Sequence, residues 1–154
     1  MKSLGNILWH FPFFGFMTAL FTFLMGCFFM LTIVGAPIGL GLFQLAKFYL
    51  SPFSNAMVNK SELKKDQNQL WLILGWVVWI FYLPFGLMIF VVNLIQIVFL
   101  FVSIIGIPVA LVLAKSLGTL LKPINMQCVP KAVADELEKR KAKETVDAHL
   151  SYAD

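Results

Sequence analysis

The chain has 154 residues, of which 60% are hydrophobic, 15% aromatic and only 13% charged, with a formal net charge of +4. Soluble domains carry roughly a quarter of their residues as charges, so this composition excludes an ordinary soluble fold and points to a membrane. The basic balance does not mark a nucleic-acid binder, which needs Lys and Arg clustered on a soluble face: from Lys122 onward six basic residues are matched by six acids.

Lys2 to Phe11, reading KSLGNILWHF, sets Lys2, Asn6, Trp9 and His10 among apolar residues and suits the membrane interface. Pro12 and Gly15 loosen the chain around its next residues. Phe13 to Val34 is then apolar, about 33 Å long as one helix and enough to cross a hydrocarbon core of ~30 Å. Gly35, Ala36 and Pro37 interrupt it, because proline removes a donor and clashes with the carbonyl four residues back. Ile38 to Ser51 follows, roughly 21 Å as a helix, which either thins the bilayer or starts inside it. The run continues to Phe53 with no small-residue cleavage site opening on a polar chain, so the N-terminal segment is expected to stay attached.

Ser54 to Gln69 is polar, carries Lys60, Lys64 and Lys65, and reads as a linker. A second apolar run opens with Trp71, Trp76, Trp79 and Tyr82, residue types that settle at membrane interfaces. Pro84 and Gly86 precede a spanning stretch to Ile105, Gly106 and Pro108 repeat the break, and Val109 to Leu121 gives a second short helix. From Pro130 the sequence PKAVADELEKRKAKETVDAHL reads as a soluble helix with proline at its start, the four-apart pairs Asp135/Lys139 and Glu136/Arg140, and a modest apolar stripe of Val129, Val133 and Leu137.

The two runs are copies. TIVGAP from Thr32 to Pro37 recurs as SIIGIP from Ser103 to Pro108, and the offset of seventy-one residues holds without a gap from Phe14 against Phe85 through Pro52 against Pro123. The pattern of I-G-x-P, a short helix with a lysine, then a proline resembles the YccF-like inner-membrane component family: SIIGIPV from Ser103 with Lys115 and Pro123, and Pro37, Lys47, Pro52 and Asn55 in the first copy. PINM from Pro123 departs from the proline, aromatic, glycine and basic residue that often end that family's second copy. The resemblance implies a fold with paired domains and a bacterial inner-membrane location, and it brings no assigned reaction.

The expected fold is an all-α integral membrane protein of two parallel tandem repeats, each a long transmembrane helix, a G-x-P break and a short returning helix, with a cytoplasmic C-terminal helix. Its segments are residues 1–53 and 70–124 as the membrane repeats, 54–69 as a cytoplasmic linker and 125–154 as the tail. Basic residues flank the apolar runs while neither G-x-P turn carries a charge, so both termini are expected in the cytoplasm of a multi-pass protein, with an axis along the membrane normal relating the repeats.

The polar residues bound the function. His10 and His149 lie at opposite ends of the chain, and no base sits beside a nucleophile, so no catalytic constellation is visible; no cluster of His, Cys, Asp or Glu has ligand spacing for a metal; and no cofactor motif is present. Cys27 and Cys128 read as unpaired thiols. No carboxylate lies within the apolar runs, since no Asp or Glu occurs before Glu62 or between Asp66 and Asp135, which argues for a passive function over proton-coupled transport.

Lys47 and Lys115 are the charges within the short helices. They align with Gly118 and Gln44, one turn apart on one face, and either form a basic ring that attracts anions or anionic lipid headgroups, or snorkel to the headgroups. Asn93 and Gln96, with Thr22 as the counterpart of Asn93 and Thr18 one turn before it, either line a path or bond between helices. Thr32 and Ser103 fit carbonyls freed by the breaks. Gly35 and Gly39, then Gly106, Ala110, Ala114 and Gly118, put small residues every four positions, as helix contacts require. Two readings follow: a homo-oligomeric passive channel preferring anions, or a non-conducting accessory or scaffold subunit of another membrane complex. The partners expected are the lipid bilayer and further copies of the chain.

Overall fold

The computed structural model describes residues 2–11, 14–63 and 69–151. Pro12, Lys64 and Lys65 of the sequence reading lie outside these residues, as does the side chain of Trp71. The elements in chain order are α1 (Lys2–His10), α2 (Gly15–Leu31), α3 (Ala36–Leu50), β1 (Asn55–Asn59), a 3-10 turn (Lys60–Leu63), α4 (Gln69–Val102), a 3-10 turn (Ile104–Gly106), α5 (Ile107–Leu121), β2 (Met126–Pro130) and α6 (Lys131–Ser151). The mostly helical fold expected from the sequence is borne out, and three features depart from it.

The first departure concerns helix lengths. Where the apolar run from Phe13 to Val34 predicts one long span, α2 has 17 residues, about 25 Å, because Thr32 to Gly35 turn the chain early. In the second run Pro84 and Gly86, expected to precede the span, lie within it: α4 is a single helix of 34 residues with Pro84 inside. Its segment Ile73–Val102 has a mean hydropathy of 2.6 and is the one described helix long and apolar enough to cross a membrane. Only 11% of an 18-residue apolar stretch within it is buried, so α4 is no core helix of a soluble protein: it turns bare apolar surface outward and needs hydrocarbon around it.

The second departure is a two-stranded sheet. Residues 54–69 and 125–130 read as linker and tail, yet β1 and β2 pair antiparallel, Asn55 opposite Pro130, Met57 opposite Cys128 and Asn59 opposite Met126. Met57 and Cys128 are themselves seventy-one residues apart, so exchanging the strands maps each pair of the ribbon onto another pair. The bounds of α3 and α5 are offset by the same seventy-one residues. Five-residue strands containing Asn, Gln and Met carry little β signal of their own, and the partner that satisfies each backbone lies far along the chain.

The third departure is the course of the short helices. Tyr49, near the end of α3, donates from its hydroxyl to Ser116 Oγ at 2.8 Å, while Gly41, nearer its start, lies so close to the Pro123 carbonyl that a Cβ would overlap it. Contacts that fall in α5 and its exit as they rise in α3 mean that the two helices run antiparallel. Midway along α3, Gln44 Oε1 accepts from the Cys128 backbone N–H at 3.2 Å. Both short helices therefore lie along the ribbon instead of rising away from it.

Nine of the fifteen residues of α3 are buried, because α2, α5 and the ribbon surround it. The core includes Ile38, Leu42, Leu45, Phe48 and Tyr49 of α3 with Val109, Ala110, Val112 and Leu113 of α5. α2 crosses α3 closely where Gly26 meets Phe43 and Gly39 meets the Gly26 carbonyl and Met30. On the ribbon's other side, Val58, Val129 and Ala134 form a second cluster with Ala56, Leu63 and Leu137, and Lys141 Nζ reaches Glu62 Oε1 at 2.6 Å. Thus α6 docks on the ribbon through Ala134 and Leu137, while Val133 of the expected stripe is exposed. Glu136 and Arg140 form the expected exposed pair at 3.5 Å.

Placing a charge in that second cluster should free the tail. Val58→Asp buries a carboxylate with no basic partner in the cluster and is expected to weaken α6 docking by roughly 2–3 kcal/mol, read as faster tryptic cleavage within residues 131–151 in isolated membranes. Glu136→Gln removes only an exposed pair and should leave the cleavage rate unchanged.

Candidate functional site

The ends of the short helices gather polar side chains. The last carbonyls of an α-helix have no intrahelical donor, and aromatic and imidazole groups meet them here. Trp9 Nε1 donates to the Tyr49 carbonyl at 2.7 Å and His10 Nε2 to the Leu50 carbonyl at 2.9 Å. At the matching end of α5, the Tyr82 hydroxyl donates to the Leu120 carbonyl at 2.9 Å and Trp79 Nε1 to the Leu121 carbonyl at 2.9 Å. Tyr49 and Leu120 are seventy-one residues apart, as are Leu50 and Leu121, whereas the four donors do not align. Sequence reading placed these rings at the interface without assigning their partners; the signal was the missing acceptor for each indole N–H.

These contacts also fix the N-terminus. Trp9 stacks on Tyr49 with ring centroids 5.9 Å apart, Asn6 Oδ1 accepts from the Phe53 N–H at 3.1 Å, and Asn6 Nδ2 donates to Ser54 Oγ at 3.1 Å. α1 is thereby held at the entry to β1. At the α5 exit, Lys122 Nζ sits 4.4 Å from the centroid of the Trp76 ring, which packs edge-on against Trp79.

Lys47 and Lys115 are both exposed. Lys47, in the last turn of α3 where a cation favours the helix dipole, borders a groove of about 560 Å³ lined by Phe16, Leu20, Phe23, Phe43 and Leu50. It lies near Cys128, whose thiol is pushed above its ordinary value mainly by burial, with the Lys47 charge pulling the other way. Lys115 takes the place on α5 that Gln44 holds on α3. Cys27 and Cys128 are both free thiols.

The other polar residues are tied locally. Thr22 Oγ1 donates to the Thr18 carbonyl at 2.8 Å and Asn93 Nδ2 to the Ile89 carbonyl at 2.8 Å, each four residues back on its own helix. These bonds neither line a path nor bridge helices. Gln96 is exposed. Thr32 does what the break requires, donating to the Phe29 carbonyl at 2.7 Å and accepting from the Gly35 N–H at 3.1 Å; Ser103 makes no side-chain cap. Pro37 and Pro108 stand in the first turns of α3 and α5, where their missing N–H costs little. Of the small-residue row, Gly106 and Ala110 are buried while Ala114 and Gly118 are exposed, and nothing lies within 4 Å of a Cβ built on Gly118.

A helical membrane protein whose two short helices lie under a shared ribbon is the class these features define. Residues 4–55 match the model of the YccF inner membrane component domain. The match covers about a third of the chain and supports an inner-membrane location. No curated protein and no solved structure matches the chain.

Two outcomes follow from the site. Because burial holds the Cys128 thiol up and Lys47 opposes this, alkylation of Cys128 should be slow at neutral pH and rise as pH increases toward the thiol range. Lys47→Gln removes the opposing charge, so the rate-versus-pH curve should move to higher pH. Thr22→Val and Asn93→Leu, which remove hydrogen bonds within one helix, should each change thermal stability in detergent by no more than about 0.5 kcal/mol; a bond between helices would give a larger loss.

Proposed function

We propose that this chain is a non-enzymatic scaffold of the bacterial inner membrane, built from two tandem repeats, with both termini on the cytoplasmic face. The observation that carries the reading is the pairing of Asn59 with Met126. Everything between them, α4 and α5 included, must leave one face of the membrane and come back to it. Asn6 holds α1 to Phe53 and Ser54 beside β1, and Glu62 binds Lys141 of α6, so both terminal helices share the ribbon's side. That side holds Lys60, Lys122 and the charged α6, and basic segments remain in the cytoplasm.

The register supports the duplicated design. Met57 faces Cys128 at the centre of the ribbon, and an antiparallel pair of equal strands has a two-fold axis perpendicular to it. With the ribbon facing the cytoplasm, that axis runs along the membrane normal. Leu45, Tyr49, Ala110, Val112 and Leu113 are buried where α3 and α5 meet, so this axis is packed. Lys47 and Lys115, exposed on helices that lie along the cytoplasmic ribbon, suit anionic lipid headgroups. Ala114 and Gly118 offer a close-contact face to a second copy.

A second reading is the passive anion pathway, formed between copies. The exposed Lys115 beside Ala114 and Gly118 favours it, because a charge on a contact face would border any water held there.

Two measurements test these readings. A reporter active only in the periplasm, fused after Asp154, should give no signal, and a strong signal would overturn the shared cytoplasmic face. Purified protein in a planar bilayer should carry no current. Current whose reversal potential changes sign with Lys115→Glu would establish the pathway in place of the scaffold.

A further inference from the structure

The two G-x-P turns do not resemble loops that emerge into water. At the first, Leu31 and Ile33 are each 82% exposed, with Phe28 and Val34 exposed beside them; at the second, Val102 is 84% and Ile104 85% exposed. No charged residue occurs between Lys2 and Lys47 or between Asp66 and Lys115. Surface of this kind is stable only in hydrocarbon.

Backbone that is not helical survives in hydrocarbon only when its polar groups are satisfied within the protein. The first turn meets this condition donor by donor. The N–H of Thr32 bonds Phe29, that of Ile33 bonds Met30, that of Val34 bonds Thr32, that of Ala36 bonds Ile33 and that of Ile38 bonds Gly35, all through carbonyls. The Gly35 N–H is taken by Thr32 Oγ1, and Pro37 has none. At the second turn Ser103 bonds Leu100, Gly106 bonds Ser103 and Ile107 bonds Ile104. Ile33 holds φ at 55°, a strained value for a β-branched residue, and it aims a bare aliphatic side chain outward.

The helices behind the turns do not come back from a far surface. α3 has its midpoint tied to the ribbon through Gln44 and Cys128, and α2 lies against α3, with Phe16 and Leu50 lining one groove and Gly26 meeting Gly39. The belt of Trp76, Trp79 and Tyr82 sits against the α5 exit at Leu120 to Lys122, so the first half of α4 also runs at headgroup depth.

From this we infer that each repeat is an intramembrane hairpin that enters the cytoplasmic leaflet and turns inside the bilayer, and that the pair acts as a wedge that bends the membrane. Volume is added to one leaflet only, which expands it relative to the other and curves the membrane toward the cytoplasm. The partner of the exposed face is the hydrocarbon of that leaflet. The inference rests on the cytoplasmic ribbon proposed above, and it replaces the multi-pass course expected from the sequence.

The test uses the full chain with Cys27→Ala and Cys128→Ala and single tip cysteines, Ile33→Cys or Ile104→Cys. In intact cells with a permeable outer membrane, a membrane-impermeant maleimide should label either tip about tenfold more slowly than after detergent. Equal labelling before and after detergent puts the tips in the periplasm and overturns the wedge, while the Asp154 fusion reports separately on the termini. Vesicles of phosphatidylethanolamine and phosphatidylglycerol should become smaller or tubular as wild-type protein is added. Ile33→Ser with Ile104→Ser should lose that effect, and Ile33→Leu with Ile104→Leu should keep it, which separates tip chemistry from folding. Unchanged vesicles with wild-type protein, or full bending by the serine variant, would also overturn the inference.

Discussion

Pairing of β1 with β2 is the constraint on which the rest of the structure depends. An isolated five-residue strand leaves unsatisfied backbone groups, and two strands alone are marginal in water; here the ribbon persists because α3 supplies Gln44 on one face and α6 supplies Ala134 and Leu137 on the other. Its register fixes the exits of both short helices through the buried prolines Pro52 and Pro123. The fixed exits force α3 and α5 to lie side by side. Their antiparallel course, the packed centre and the return of the chain to the ribbon all follow from that single ladder.

Apolar surroundings turn hydrogen-bond accounting into a structural determinant. A carbonyl at a helix end in water finds a solvent donor, but at a membrane interface it needs a donor from the protein. Trp9, His10, Trp79 and Tyr82 provide four such donors at two matching helix ends. The requirement belongs to the carbonyls, which the backbone fold places in both halves. The donor can come from whichever ring lies near, and this explains why the acceptors obey the offset of seventy-one residues while the donors do not.

Much of this was legible in the sequence. The membrane location followed from composition, the breaks at Gly35–Pro37 and Gly106–Pro108 from proline chemistry, and the free thiols from spacing. The roles of Thr32 and the interfacial rings were legible as types. What escaped was nonlocal: the ribbon, because its strands have weak propensity and a partner far along the chain, and the course of the short helices, because an apolar run gives length but not direction. Pro84 misled for a related reason. Proline removes one hydrogen bond, yet α4 continues through it, since unbroken apolar sequence on both sides favours helix wherever water cannot take up the freed groups. Asn93 and Thr22 looked like a shared polar stripe. A side chain with no partner within reach bonds its own helix instead.

The lysines draw these strands of argument together. A lysine at the bilayer centre costs ~2.5 to 3.5 kcal/mol on insertion scales, whereas one beside an anionic leaflet gains about 1 kcal/mol, so depth decides whether Lys47 and Lys115 are burdens or anchors. Lys47 is near Cys128 of the ribbon, and Lys115 occupies the equivalent of Gln44, the residue that bonds that ribbon from α3. Lys47 thus stands between the ribbon and the apolar groove of Phe16, Leu20 and Phe23, where its stem can lie along apolar surface with the charge toward polar surroundings. The Lys47 charge, isolated in an apolar run of sequence, stands in three dimensions where apolar helix meets the polar ribbon.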